Sequence, residues 1–228
     1  MRTRPHMKPA PPPLPRPAAV IWDMDGTLID QTAAIVRCFH EVITAFGAPP
    51  PAPDTILRHL GGPLPSTMGL FIGPEDLESA CLRFRERFPD IMFDGLRILP
   101  GALEAVRSCS EAGIPQAILT NKHGETAREV SRYAGFDKYI SICIGNTDTV
   151  WQKPESELTR HTLELLGASA GQSCLVGDSP TDMETAAGGG LTPYAVSTGA
   201  HNMAELLEAG ARAVFPDLIQ FHRAFCQA

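Results

Sequence analysis

The hydrophobic pattern changes character twice along the chain. Ala18-Ala19-Val20-Ile21-Trp22 is an unbroken apolar run that ends at Asp23. A run of this kind reads as a strand buried on both faces, as in a parallel sheet covered by helices. From residue 31 to 47 the apolar positions recur at helical spacing, through Ala34, Ile35, Cys38, Phe39, Val42, Ile43 and Phe46. Gly47 closes that helix and Pro49-Pro50-Pro51 prevents its continuation. Helical patterns over 54–60, 66–72 and 75–88 follow, separated by Gly61-Gly62-Pro63 and Gly73-Pro74. No strand-like run occurs between about 31 and 95.

After residue 95 strand and helix alternate. Pro100 opens a helix to about Ala112. Strands are predicted at 117–120, 139–144, 173–177 and 194–196, with helices at 124–134, 155–166, 180–187 and 203–209. This alternation predicts an α/β fold with an open parallel sheet and right-handed crossovers. The first strand belongs with the later βα units. The expected organisation is therefore one α/β unit, 18–30 and 95–228, with an all-helical block, 31–94, inserted after its first strand. Residues 1–17 hold seven prolines and read as an extended, solvated, disordered tail; a PxxP ligand is the alternative.

The chain has 228 residues and a net charge of −7. The tail carries four basic residues and no acid, so the body stands at −11. An acidic body argues against non-specific nucleic-acid binding, which needs many phosphates neutralised. No apolar run approaches the roughly 18 residues of a membrane span. The six cysteines include no CxxC pair. They read as reduced, largely core residues, which predicts a cytoplasmic protein. The seven histidines form no HxxxH or HExxH pattern.

In sheets of this type ligands bind beyond the carboxyl ends of the strands, so the residues there are the candidates. The first strand ends in Asp23-Met24-Asp25-Gly26-Thr27-Leu28, the second in Thr120-Asn121-Lys122. Lys153-Pro154 stands before a helix, and a later strand ends in Gly177-Asp178-Ser179-Pro180-Thr181-Asp182. If these ends converge, four carboxylates share one crevice. Two carboxylates about 4 Å apart repel by about 4 kcal/mol at an effective dielectric near 20, so the cluster requires cations. One Mg²⁺ and Lys153 would leave a single excess negative charge. All-oxygen donors favour Mg²⁺ over zinc. A carboxylate nucleophile, a second carboxyl as proton donor and a fixed lysine suit phosphoryl transfer.

The four segments, in this order and spacing, resemble the motifs of the haloacid dehalogenase superfamily. They are similar to its phosphoglycolate phosphatase/β-phosphoglucomutase branch, over about residues 20–215. The resemblance implies a Rossmann-like core with a helical C1 cap at 31–94. It implies that Asp23 is the nucleophile and a Mg²⁺ ligand. Asp25 would be the general acid/base and would reach the metal through its carbonyl. Thr120 and Lys153 would bind the phosphoryl group, helped by Asn121, with Gly26 and Thr27 beside them. Asp178 would ligate the metal, and Asp182 would stand at or just outside its shell. Asp25 itself points to phosphate esters, because family dehalogenases carry Tyr there and phosphonatases Ala. The segment after Lys153-Pro154 departs from the family pattern, reading Glu155-Ser156-Glu157.

Local alternatives stand beside these roles. Asp182 is also the third residue of a helix capped by Ser179. Arg58, next to the cap glycines, either reads an anionic group of the substrate or makes a surface ion pair. His123 is a second candidate for substrate contact, and Trp151 reads as packing. The implied activity is Mg²⁺-dependent hydrolysis of a small, phosphoglycolate-like phosphate monoester through an aspartyl-phosphate. The alternatives are a β-phosphoglucomutase-like sugar-phosphate mutase and a non-catalytic binding module. The expected partner is a small phosphorylated metabolite, and the expected state a monomer or homodimer.

Overall fold

The computed structural model describes residues 14–226. Its centre is a six-stranded sheet, every pairing of which is parallel. The first strand, β1, is Val20–Trp22. A two-residue strand, β2 (Ile29–Asp30), leads into the insert. The insert holds α1 (Thr32–Ala45), α2 (Pro53–Leu57), α3 (Leu64–Met68) and α4 (Leu77–Ile91). The chain returns through β3 (Arg97–Ile98), which pairs antiparallel with β2. This two-stranded ribbon is the stem of the insert. Its strands are too short to be read from a period-two pattern.

The α/β alternation then continues with α5 (Ala102–Glu111), β4 (Gln116–Leu119), α6 (Gly124–Ala134) and β5 (Ile142–Ile144). Next come α7 (Ser156–Leu166), β6 (Cys174–Gly177), α8 (Pro180–Gly188) and β7 (Thr192–Val196). The chain closes with α9 (Met203–Glu208), β8 (Ala213–Phe215) and α10 (Leu218–Cys226). The fold class matches the expected Rossmann-like α/β architecture. The strand order is β5-β4-β1-β6-β7-β8. From β1 the chain builds outward through β4 and β5, then crosses to the other side of β1 and continues through β6. The direction of winding thus reverses between β1 and β6, where an open α/β sheet presents its crevice.

The last strand and helix escape the hydrophobic reading because β8 is a three-residue run between Arg212 and Pro216. Its neighbour α10 is nonetheless firmly built in. Phe221 packs edge-on against Trp22 at 5.7 Å and against Phe215 at 5.5 Å. The end of the expected tail also differs. Leu14 is buried in the main core, and its N–H donates to Ala224 O at 3.0 Å. The apolar side chain finds the groove beside α10, so residues 14–17 belong to the folded body. Residues 1–13 lie outside the described residues.

Of the cysteines, Cys38, Cys81, Cys109 and Cys174 are buried and Cys143 partly so. Among the described residues no helix is long and apolar enough to cross a membrane.

Candidate active site

Parallel register brings the predicted segments to one edge of the sheet. Trp22 lies level with Ile118 of β4 and Val176 of β6, so Asp23, Thr120 and Asp178 emerge side by side. Asp23 is the first residue past β1, its N–H still held by Val176 O at 2.9 Å. Asp178 is the first residue past β6. Lys153 comes from the loop before α7 and is buried to 1% exposure. Its ammonium reaches Asp23 Oδ1 at 2.6 Å and Asp182 Oδ1 at 2.7 Å. The unusual Glu155 does not disturb this loop, because its carboxylate accepts from the Gln152 N–H at 3.1 Å.

Asp182 serves two functions. Its Oδ1 binds Lys153, while its Oδ2 accepts from the N–H groups of Asp178 and Ser179 and from the Ser179 hydroxyl. Ser179 in turn completes a reciprocal capping box at the start of α8. Both carboxylate oxygens are thus committed to protein donors. Asp182 thus anchors Lys153 and the helix start, and one of its oxygens also lies within 4.8 Å of an oxygen of Asp23 and one of Asp178, a grouping that could hold a metal ion.

Thr27 and Gly26 likewise differ from the substrate contacts expected of them. The Thr27 side chain is fully buried and donates to Asp178 Oδ1 at 3.0 Å, so it orients that carboxylate. Gly26 donates its N–H to Ile29 O and accepts from the Thr198 hydroxyl at 2.6 Å. Its φ is +86°, and a Cβ there would stand 2.3 Å from Asp178 Oδ2. Gly199 approaches the same oxygen from the other side, where a Cβ would stand only 1.7 Å away. Two glycines therefore let backbone close around Asp178. Thr198 and Gly199 follow β7 and were not singled out from sequence; the strand-end rule applied to β7 would have found them.

Thr120 is buried and its hydroxyl accepts from the Lys122 N–H at 3.2 Å. Asn121 is a brace. Its amide donates to Lys153 O and to Gly61 O of the insert, and its carbonyl accepts from the Lys153 N–H at 3.0 Å. The insert is therefore seated on the crevice, with Gly61 and Gly62 lining it. Arg58 is not in the crevice. It is half-exposed and pairs with Glu205 of α9 at 2.5 Å, so an anion-reading role for it is corrected to an ion pair between insert and core.

Lys122, the third residue of the second motif, also belongs to the site. Its ammonium lies 3.0 Å from Asp25 Oδ2, 2.8 Å from Gln31 Oε1 and 4.8 Å above the Phe88 ring. The other Asp25 oxygen, Oδ1, is buried and has no hydrogen-bond partner. Lys122 thus holds one oxygen of Asp25, and the residue lines the cavity between core and insert. That cavity, of about 120 Å³, is also lined by Asp23, Thr120 and His123. Trp151 is not among its lining residues; it lies beside His161 at 6.0 Å.

The electrostatics are unbalanced. Asp23, Asp178 and Asp182 are all buried and share one ammonium. Burial pushes the Asp23 carboxyl up to about 7 against the pull of Lys153, with Asp182 and Asp25 adding to the rise. Burial, then the charges of Asp23 and Asp182, raise Asp178 well above the ordinary carboxylate range. Burial alone would lower Lys153, but Asp182 and Asp23 outweigh it and keep it charged. The excess negative charge, the all-oxygen donor set and the glycine cradle around Asp178 fit a hard divalent cation held by Asp23 and Asp178.

A stability measurement follows. A carboxyl raised in the folded state contributes stability below its unfolded value near 3.9, and loses it as pH rises through the folded value. With Asp23 at about 7, the melting temperature of the metal-free protein should fall between pH 5 and pH 8. Mg²⁺ should raise it more at pH 8 than at pH 5. A rise in metal-free melting temperature across that interval would contradict the charge imbalance.

The family model for haloacid dehalogenase-like hydrolases matches residues 20–196. A provisionally assigned pyrophosphatase from Caldanaerobacter subterraneus is 29% identical over 179 residues, covering 78% of this chain and 80% of its own. A phosphoglycolate phosphatase from Rhodobacter capsulatus is 28% identical over 186 residues, covering 79% of this chain and 84% of its own. A solved structure from Bacteroides fragilis, provisionally assigned as a haloacid dehalogenase-like hydrolase, shares the fold. Its TM-score is 0.84 at 24% identity, covering 90% of this chain and 100% of that one. With its four motifs gathered at one sheet edge and most of its length matched, the chain belongs to the haloacid dehalogenase-like hydrolase family.

Proposed function

We propose that this chain is a Mg²⁺-dependent phosphatase that hydrolyses a small phosphate monoester through a phosphorylated Asp23. The observation that carries the reading is the pairing of a lysine-fixed Asp23 with an Asp25 that lines the cavity beside it and is itself held by Lys122. Mg²⁺ on Asp23, Asp178 and the Asp25 carbonyl would neutralise the carboxylates and draw charge from the phosphoryl oxygens.

The protein groups divide the reaction into two displacements. Lys153 holds Asp23 Oδ1, which directs Oδ2 to the phosphorus. The bond from phosphorus to the alcohol oxygen breaks as the bond to Asp23 forms, and Asp25 gives its proton to the departing alkoxide. Lys122 fixes the orientation of the Asp25 carboxyl for that transfer. In the second step Asp25 takes a proton from water, the water oxygen attacks phosphorus, and Asp23 leaves as a carboxylate. Thr120 and Lys153 hold the phosphoryl group through both steps. The seated insert keeps bulk water from the ester while the first step occurs. The thiols of Cys38, Cys81, Cys143 and Cys174 support a reducing, cytoplasmic setting.

The test is a panel of phosphate esters assayed for released phosphate with Mg²⁺ and with EDTA. Phosphoglycolate, the substrate named for one relative, belongs in it. Release should fall by about 100-fold or more when EDTA removes the metal, given the share of charge stabilisation assigned to it. Unchanged release in EDTA would overturn the metal dependence. Conversion of a hexose 1-phosphate to its 6-phosphate without free phosphate would replace hydrolysis by the mutase reaction.

A further inference from the structure

Gln31 stands at the base of the insert, directly after the stem strand β2 and before the first turn of α1. It is buried, and its side chain makes no cap for that helix. The amide is used elsewhere. Its Nε2 donates to Met92 O, just past the end of α4, and its Oε1 accepts from the Lys122 ammonium at 2.8 Å. One side chain thus joins the two ends of the insert, 61 residues apart, to a lysine of the core. Reversing the amide would set its two N–H donors against the ammonium and its oxygen against Met92 O, so the orientation is fixed.

The lysine it holds is the one that holds Asp25. The Lys122 ammonium lies 3.0 Å from Asp25 Oδ2 and 4.8 Å above the Phe88 ring. A lysine has a flexible four-carbon stem and rotatable donors, so by itself it gives a carboxyl charge but little direction. Direction comes from what fixes the ammonium. Gln31 Oε1 is the uncharged acceptor on it, and Gln31 is itself anchored by Met92 O.

We propose that Gln31 is a positioning residue for proton transfer: it aims Lys122, and through Lys122 the Asp25 carboxyl, at the oxygen of the departing alcohol. The proposal rests on the phosphatase reading and adds to it a residue that touches neither substrate nor Asp25. The step affected is the first displacement, in which the bond from phosphorus to the alcohol oxygen breaks and the Asp25 proton moves to that oxygen. A misdirected acid slows this step only where the leaving group needs the proton.

The experiment compares kcat/KM for benzyl phosphate, which leaves as an alkoxide, with that for 4-nitrophenyl phosphate, which leaves as a stable phenolate. Both carry one aromatic ring. kcat/KM covers the steps up to release of the alcohol, so the later service of Asp25 as base does not enter. Gln31→Leu should lower kcat/KM for benzyl phosphate by at least about tenfold and leave that for 4-nitrophenyl phosphate within about threefold. The ratio is taken within one preparation and is independent of how much of the variant folds. Gln31→Asn, one methylene too short to reach both partners, should shift the ratio in the same direction and serves where the leucine variant does not accumulate. Lys122→Met should discriminate between the esters in the same way. Adding Gln31→Leu to it should cost no more than about a further twofold, because Gln31 then has nothing to aim.

An equal loss on both esters, or no loss on either, would reduce Gln31 to a packing residue and overturn the proposal while leaving phosphatase activity standing. Losses that multiply in the double variant would show that Gln31 does not act through Lys122, and would overturn it as well. No phosphate release by the parent from any ester would overturn the phosphatase reading and this proposal together.

Discussion

Asp23→Asn should slow phosphate release by at least about 10⁴-fold, because the attacking carboxylate becomes a neutral amide of the same shape. The change should not unfold the protein. Asp23 is one of three buried carboxylates around one ammonium, and burial already drives it towards neutrality. Removing that charge relieves repulsion at pH 8, so the metal-free variant should melt at or above the parent temperature. The amide oxygen can still accept from Lys153. Mg²⁺ should stabilise the variant less than the parent, since one of its two proposed carboxylate ligands is gone. A quench of the parent during turnover should yield a peptide containing Asp23 that carries one added phosphoryl group, absent from the variant. Release above about one-hundredth of the parent rate would remove Asp23 from the role of nucleophile.

The combination of lost activity and kept stability separates chemistry from folding, and it depends on residues that differ greatly in legibility. Asp23, Asp178 and Lys153 were readable because each follows a strand or precedes a helix in a recognisable order. Parallel register then does the rest: Trp22 opposite Ile118 and Val176 places the strand ends together without further information. The individual hydrogen bonds were not readable. Thr27 lies in the acidic loop and could face substrate or Asp178; only the turn at Gly26 decides that it faces Asp178. Asp182 had two sequence readings, metal ligand and helix cap. The structure gives its oxygens to the cap and to Lys153.

Contacts between insert and core were the least legible. They join residues about 60 to 150 positions apart, and no local pattern encodes the angle at which four helices close on a sheet. Arg58 meets Glu205, Asn121 meets Gly61, and Lys122 meets Gln31 by that closure alone. The short strands β2, β3 and β8 were missed for a different reason. Two or three residues do not establish a period, and their pairing is set by the partners on either side. Leu14 was lost among prolines because composition speaks for a segment and not for one side chain.

Lys153→Met should be the most destabilising single change at the site. Methionine preserves the length and apolar stem of the side chain but removes the ammonium from between Asp23 and Asp182. Breaking a buried ion pair by deleting one partner costs about 3–5 kcal/mol, because the remaining charge has neither water nor a counter-ion. For a chain of this size that corresponds to a fall in melting temperature of roughly 6–20 °C. The loss should depend on pH in a defined direction. Burial raises Asp23 and Asp178, so acid supplies the protons that replace the missing cation. The gap between variant and parent should therefore be smallest near pH 5 and largest near pH 8. Mg²⁺ should narrow it at pH 8 by supplying charge to the same carboxylates. Lys153→Arg should not restore the parent, since a planar guanidinium does not fit a site where the native side chain is 1% exposed and bonded along two directions. A Lys153→Met protein that melts within about 2 °C of the parent at pH 8, a shift worth only about 1 kcal/mol, would show that the buried pairs do not hold the strand ends together.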